Sequence, residues 1–95
     1  MEIAGFGLHY RAFNALYQLP EADQAAIRAR LETLAHLPPS EWPARVVRRP
    51  EVTDTLYVIP VDGGWRIMIL ARAGQTPEVA DIVHHEALQQ FAGAG

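Results

Sequence analysis

The sequence predicts an α+β domain: a strand, an antiparallel helical hairpin and then an antiparallel three-stranded meander (β-α-α-β-β-β), closed by a short C-terminal helix. Three observations predict it. Apolar residues recur at helical spacing in two stretches separated by Leu19-Pro20. Two strand-sized apolar runs, Leu56 to Val61 and Trp65 to Ala71, flank the glycine turn Asp62-Gly63-Gly64. A third such run, Val79 to Val83, follows the loop Gly74-Gln75-Thr76-Pro77. A chain of 95 residues that is 49% hydrophobic has the size and apolar content for one domain, 1–95, around one core.

The elements follow in order. Residues 1–6 alternate loosely, with Met1 and Ile3 on one side, and read as a first strand. Leu8, Ala12, Ala15, Leu16 and Leu19 then form a stripe at helical spacing, predicting a helix over about 8–18 with Arg11, Asn14 and Gln18 outward. Pro20 starts a second helix, because proline is tolerated at a first helical position and Glu21 and Asp23 place negative charge where the helix dipole favours it. Ile27, Leu31, Leu34 and Leu37 are its apolar stripe, and Pro38-Pro39 stop it. The stretch 38–54 holds four of the seven prolines and reads as loop, with room for a short strand at Arg45 to Arg48. Pro60 cannot donate to a ladder, so its strand must leave that position unpaired, at an edge or a bulge. Glu86 to Phe91 reads as the terminal helix.

Composition excludes several classes of function. With no cysteine, disulfides, thiol nucleophiles and cysteine-ligated zinc are ruled out. Met1-Glu2-Ile3-Ala4 lacks the basic stretch and apolar run of a secretory signal, and no apolar run approaches the roughly 20 residues that span a bilayer, so a cytoplasmic protein without membrane association is expected. Charge is uneven along the chain. All eight basic residues are arginine; five of them (Arg45, Arg48, Arg49, Arg66 and Arg72) share positions 44–72 with three acids, for a net +2, while the remainder carries three arginines against eight acids. Arginine forms two-pronged hydrogen bonds with phosphate and carboxylate alike, so this middle suits nucleic acid or an acidic protein segment. An overall charge of −3 argues against broad nonspecific nucleic-acid binding, which counterion release from a basic surface drives.

In this order of elements, in Leu19-Pro20 between the helices, in the run Leu56-Tyr57-Val58-Ile59-Pro60-Val61, in Trp65-Arg66 leading into Ile67-Met68-Ile69 and in Asp81-Ile82-Val83-His84-His85, the chain resembles the RelE/ParE toxin superfamily of bacterial type II toxin-antitoxin systems. The resemblance covers nearly the whole chain and rests on order and hydrophobic pattern. It implies a toxin component that a small antitoxin neutralises by wrapping around it. RelE-like members cut messenger RNA in the ribosomal A site without a metal, and ParE-like members act on DNA gyrase. In the nuclease branch the RNA's own 2′-hydroxyl attacks, so the protein must deprotonate it, neutralise the phosphate and protonate the leaving oxygen. Arg66 stands at the family's aromatic-arginine position and would be the phosphate ligand, while His84 or His85, near the terminal basic position, would be the proton donor. The chain departs from the nuclease pattern in having no lysine, with Val58 and Pro60 where the family's strand carries them. The alternative implied is a non-catalytic module that keeps the fold and the partner groove.

Each candidate has a second reading. Arg66 is either a functional arginine or a strand residue paired with an acid such as Asp81. Trp42 either covers the core or, beside Arg45 and Arg48, belongs to a binding loop that also draws on Arg49 and Arg72. Adjacent strand residues point to opposite faces, so His84 and His85 are not expected to share a metal, and no metal or cofactor is expected. His9 and His36 read as partly exposed polar residues on helices.

Overall fold

The structure, a computed structural model, describes residues 1–48 and 54–87. It is an α+β domain in which a helical hairpin covers one face of a six-stranded mixed sheet. The chain opens with a hairpin, β1 (Glu2–Ile3) and β2 (Phe6–Leu8), where the sequence predicts one strand. Its turn uses positive φ at Ala4 (53°) and Gly5 (86°). Gly5 takes that conformation without steric cost, and Ala4 does not. Leu8, placed in the first helix by its spacing to Ala12, is instead the buried end of β2.

Helix α1 (Tyr10–Tyr17) starts where His9 Nδ1 accepts the backbone N–H of Arg11 at 3.2 Å, an N-cap that satisfies one of the orphan donors of the first turn. Ala12 and Leu16 are its buried residues. Helix α2 (Glu21–Ala35) follows Pro20, carries Glu21 and Asp23 in its first turn and buries Ile27, Leu31 and Leu34. After it, Pro39–Glu41 forms a single 3₁₀ turn, which brings Trp42 back under the helix. There the indole N–H donates to Leu34 O at 3.0 Å, a carbonyl it shares with the N–H of Leu37, and to Leu37 O at 3.1 Å just past the end of α2.

The remaining strands are β3 (Arg45–Arg48), β4 (Thr55–Val61), β5 (Trp65–Ala71) and β6 (Glu78–His84), and the sheet order is β1-β2-β6-β5-β4-β3. Strands β3 to β6 are antiparallel neighbours, so the expected meander is present with the short Arg45–Arg48 strand added at its edge. Parallel pairing of β2 with β6 (Gly7 with Glu78, Leu8 with Val79) makes the sheet mixed rather than a purely antiparallel meander. Pro60 lies beyond the last β3 pair, Arg45 with Val58, so its missing N–H interrupts no ladder on that side. Residues 85–87 are helical, and the rest of the expected terminal helix lies outside the described residues.

The core lies between the helices and one face of the sheet. Ile59 and Val61 of β4, Ile67 and Ile69 of β5, and Val79 and Ile82 of β6 meet Leu16, Ile27, Leu31 and Leu34. Burial of each aliphatic side chain contributes about 1.5–3 kcal/mol. Trp65 packs against the same cluster, so Trp65, Ile67 and Ile69 face inward as their bulk predicts, and Arg66, Met68 and Leu70 face away. Among the described residues no helix is long and apolar enough to cross a membrane.

Candidate functional site

Helices α1 and α2 lie on one side of the sheet, and among the described residues no element covers the other face. Register fixes its membership: Leu56 lies opposite Leu70, Val58 opposite Met68, and Pro60 opposite Arg66, whose other neighbour is Val83. On β3, Arg45 shares this face through its pairing with Val58. Asp81 lies opposite Met68 and Glu78 opposite Leu70, so this mainly apolar face also carries two carboxylates, and Arg66 stands among Pro60, Val83, Met68 and, diagonally, Asp81. Its Nη1 donates to its own neighbour's carbonyl, Trp65 O, at 2.9 Å. The alternative pairing with Asp81 is not made: Asp81 Oδ1 accepts the N–H of Ile82 at 2.8 Å, and the one ion pair among the described residues joins Arg72 Nε to Asp54 Oδ2 at 3.3 Å. A half-buried guanidinium on an apolar surface keeps donors for a carboxylate or phosphate.

The histidines lie elsewhere. Between the pairs Met68–Asp81 and Ile69–Val79, β6 contains one extra residue, Ala80, and this bulge reverses the alternation. Val79, Ile82 and His84 consequently share the helix side, and His84 meets Trp65 edge-on with ring centroids 5.1 Å apart. Arg66 and His84 therefore sit on opposite faces, and the sheet does not bring these two together as phosphate ligand and proton donor. His85 follows the last residue of β6. Its N–H donates to Gly64 O at 2.7 Å, its Nδ1 lies 3.2 Å from the same oxygen, and its ring is 4.5 Å from that of His84. The two rings are neighbours because the strand ends between them, which removes the argument from strand alternation that kept them apart.

The other expected residues are scattered. Arg45 and Arg48 are exposed, but only Arg45 is on the open face, since Arg48 pairs with Thr55 on the helix side. Arg72 is held by Asp54, and Arg49 lies outside the described residues. Trp42 is 8% exposed, stacks against Phe6 and Tyr57 and spends its N–H on α2, so it offers no surface to a base. Sequence reasoning missed the outward stripe Tyr10, Phe13 and Tyr17 on α1, whose i, i+3, i+7 spacing was the available signal. Phe13 and Tyr17 rings stack at 4.7 Å, and Arg28 Nη2 donates to Tyr17 Oη at 3.4 Å.

Among the described residues the site is one uncovered sheet face of an α+β domain, mainly apolar and carrying Arg45 and Arg66 with Glu78 and Asp81. No protein-family description, curated protein or solved structure matches the chain.

Proposed function

We propose that the chain is a RelE/ParE-like toxin component of a type II toxin-antitoxin system, acting in the cytoplasm on the translation machinery or DNA gyrase and working by binding. The observation that carries this reading is Arg66 on the face away from α1 and α2, where among the described residues its one hydrogen bond is to the carbonyl of Trp65 and its neighbours are Pro60, Val83, Met68 and Asp81. Support also comes from the order of elements, a helical hairpin followed by a meander, which is the order on which the resemblance rests. The antitoxin would lay an acidic, partly apolar segment over this face, its carboxylates meeting Arg45 and Arg66 and its apolar side chains covering Val58 and Met68.

A second reading is favoured by the separation of Arg66 from His84 and by Val58 and Pro60 on the open face. In it the domain keeps the partner surface and has no toxic activity. Induced expression with and without the product of a neighbouring antitoxin-sized gene tests both. Growth arrest relieved by that product supports the toxin; binding without arrest supports the module. Absence of both arrest and micromolar association between the folded proteins removes the antitoxin system altogether.

A further inference from the structure

We propose that His84, His85 and Glu86 form a site for one divalent transition-metal ion of the imidazole-binding kind, such as Cu2+, Ni2+ or Zn2+. This inference is independent of the toxin reading. One potential ligand atom from each of the three residues lies within 4.8 Å of the other two. The clustering follows from the fold, because β6 ends at His84 and residues 85–87 turn into a helix, so consecutive side chains no longer diverge.

Gly64 gives the imidazoles their space. A Cβ added there would meet His84 Nε2 at 2.6 Å and His85 Nδ1 at 2.7 Å, closer than real contacts allow. The β4–β5 turn thus leaves a notch into which nitrogens of both rings point. Gly64 O, 3.2 Å from His85 Nδ1, is placed to accept a hydrogen bond from that nitrogen in the tautomer that carries the proton on Nδ1 and the lone pair on Nε2. Metal-bound histidines are commonly oriented by such a carbonyl. The contact from Glu86 N–H to His84 Nδ1 is long, 3.4 Å, and ties that ring weakly. Glu86 is exposed and both histidines are partly exposed, so an ion has access and modest rotation of the side chains would bring three donors to the roughly 2.0–2.2 Å that metal bonding requires. Two imidazoles and a carboxylate, without thiolate, suit late first-row divalent ions, with Cu2+ bound most strongly.

The neighbouring ring supplies a readout. His84 stacks edge-on against Trp65, so Cu2+ at the site should quench Trp65 fluorescence, while Trp42 lies in the core beside Phe6 and Tyr57. The experiment titrates Cu2+ into the untagged chain. Saturable quenching with one ion per chain is expected, weakened about tenfold or more by His84→Ala or by His85→Ala and unchanged by His36→Ala. In parallel, Cu2+-induced broadening of the wild-type amide spectrum should centre on Gly64, Trp65 and His84 to Glu86, a measurement that needs no variant to fold. Absence of saturable binding up to about 100 μM Cu2+, quenching that survives loss of both histidines, or broadening centred on His9 or His36 would overturn the site.

Discussion

Arg66 and His84 leave the sheet on opposite faces: Arg66 lies across from Val83 on the open side, whereas His84 lies across from Trp65 and stacks against its ring. A phosphate held by Arg66 would be separated by the sheet from His84, one of the two imidazoles that the resemblance offers for protonating the leaving oxygen. The face that Arg66 occupies offers Val58 and Pro60, which transfer no protons. Loss of a positioned acid or base lowers rate by about 10²- to 10⁴-fold. On the proposed toxin reading, we therefore expect ribosome-dependent cleavage to be weak or absent compared with lysine-bearing RelE-like nucleases. Cleavage in a purified translation extract checks this, and robust cutting at A-site codons would refute it.

Arg66 should matter for activity far more than for folding. Its hydrogen bond is to the adjacent carbonyl, Trp65 O, and among the described residues no carboxylate pairs with it, so Arg66→Ala strands no buried partner there. The expected stability change is within about 0.5 kcal/mol, as for surface substitutions away from special features. Growth inhibition should fall nonetheless. The denaturation midpoint and the growth assay on one variant decide the matter. A stable variant that is still fully toxic would remove Arg66 from the working surface, and a loss of roughly 3–5 kcal/mol would mean that its charge is buried and paired.

Local signals explain which parts of this molecule were legible in its sequence. The β4–β5 hairpin could be read because Asp62-Gly63-Gly64 interrupts two apolar runs, and the inward face of β5 because Trp65, Ile67 and Ile69 outweigh Arg66, Met68 and Leu70. The N-terminal hairpin was hidden: its turn needs positive φ at Ala4, which no residue-type rule flags, and Leu8 stands at helical spacing to Ala12. Parallel pairing of Gly7 with Glu78 joins residues far apart in the chain and leaves no local trace. Arg66 and His84 are parted for a similarly nonlocal reason. A single unpaired residue, Ala80, puts Val79 on the same face as Ile82 and His84, and simple alternation cannot reveal a bulge that only the pairing with β5 defines.

Arg72 is expected to contribute little to either stability or partner binding. Its pair with Asp54 is exposed, with the arginine side chain 49% accessible, and such pairs are typically worth about 0.2–1 kcal/mol. Arg72→Ala should shift the denaturation midpoint only marginally, and added salt should shrink that shift further. A shift of several degrees that persists in high salt would show that the pair belongs to a larger network.

Trp42, by contrast, should be structural. Its N–H reaches Leu34 O and Leu37 O, and its ring packs between Phe6 and Tyr57 at centroid distances of 5.8 and 5.0 Å. Leu34 O also receives the N–H of Leu37 at 3.0 Å, so loss of the indole donor would bear most heavily on Leu37 O. Phenylalanine at this position preserves an aromatic ring and removes the donor. We expect Trp42→Phe to cost about 1–3 kcal/mol, the range for a hydrogen-bonding group left unsatisfied. For a domain of this size each kcal/mol lowers Tm by about 4–8 °C. Partner binding and growth inhibition, measured well below the lowered Tm, should be unchanged because the indole faces the core. Unaltered Tm with lost binding would instead put Trp42 at the working surface.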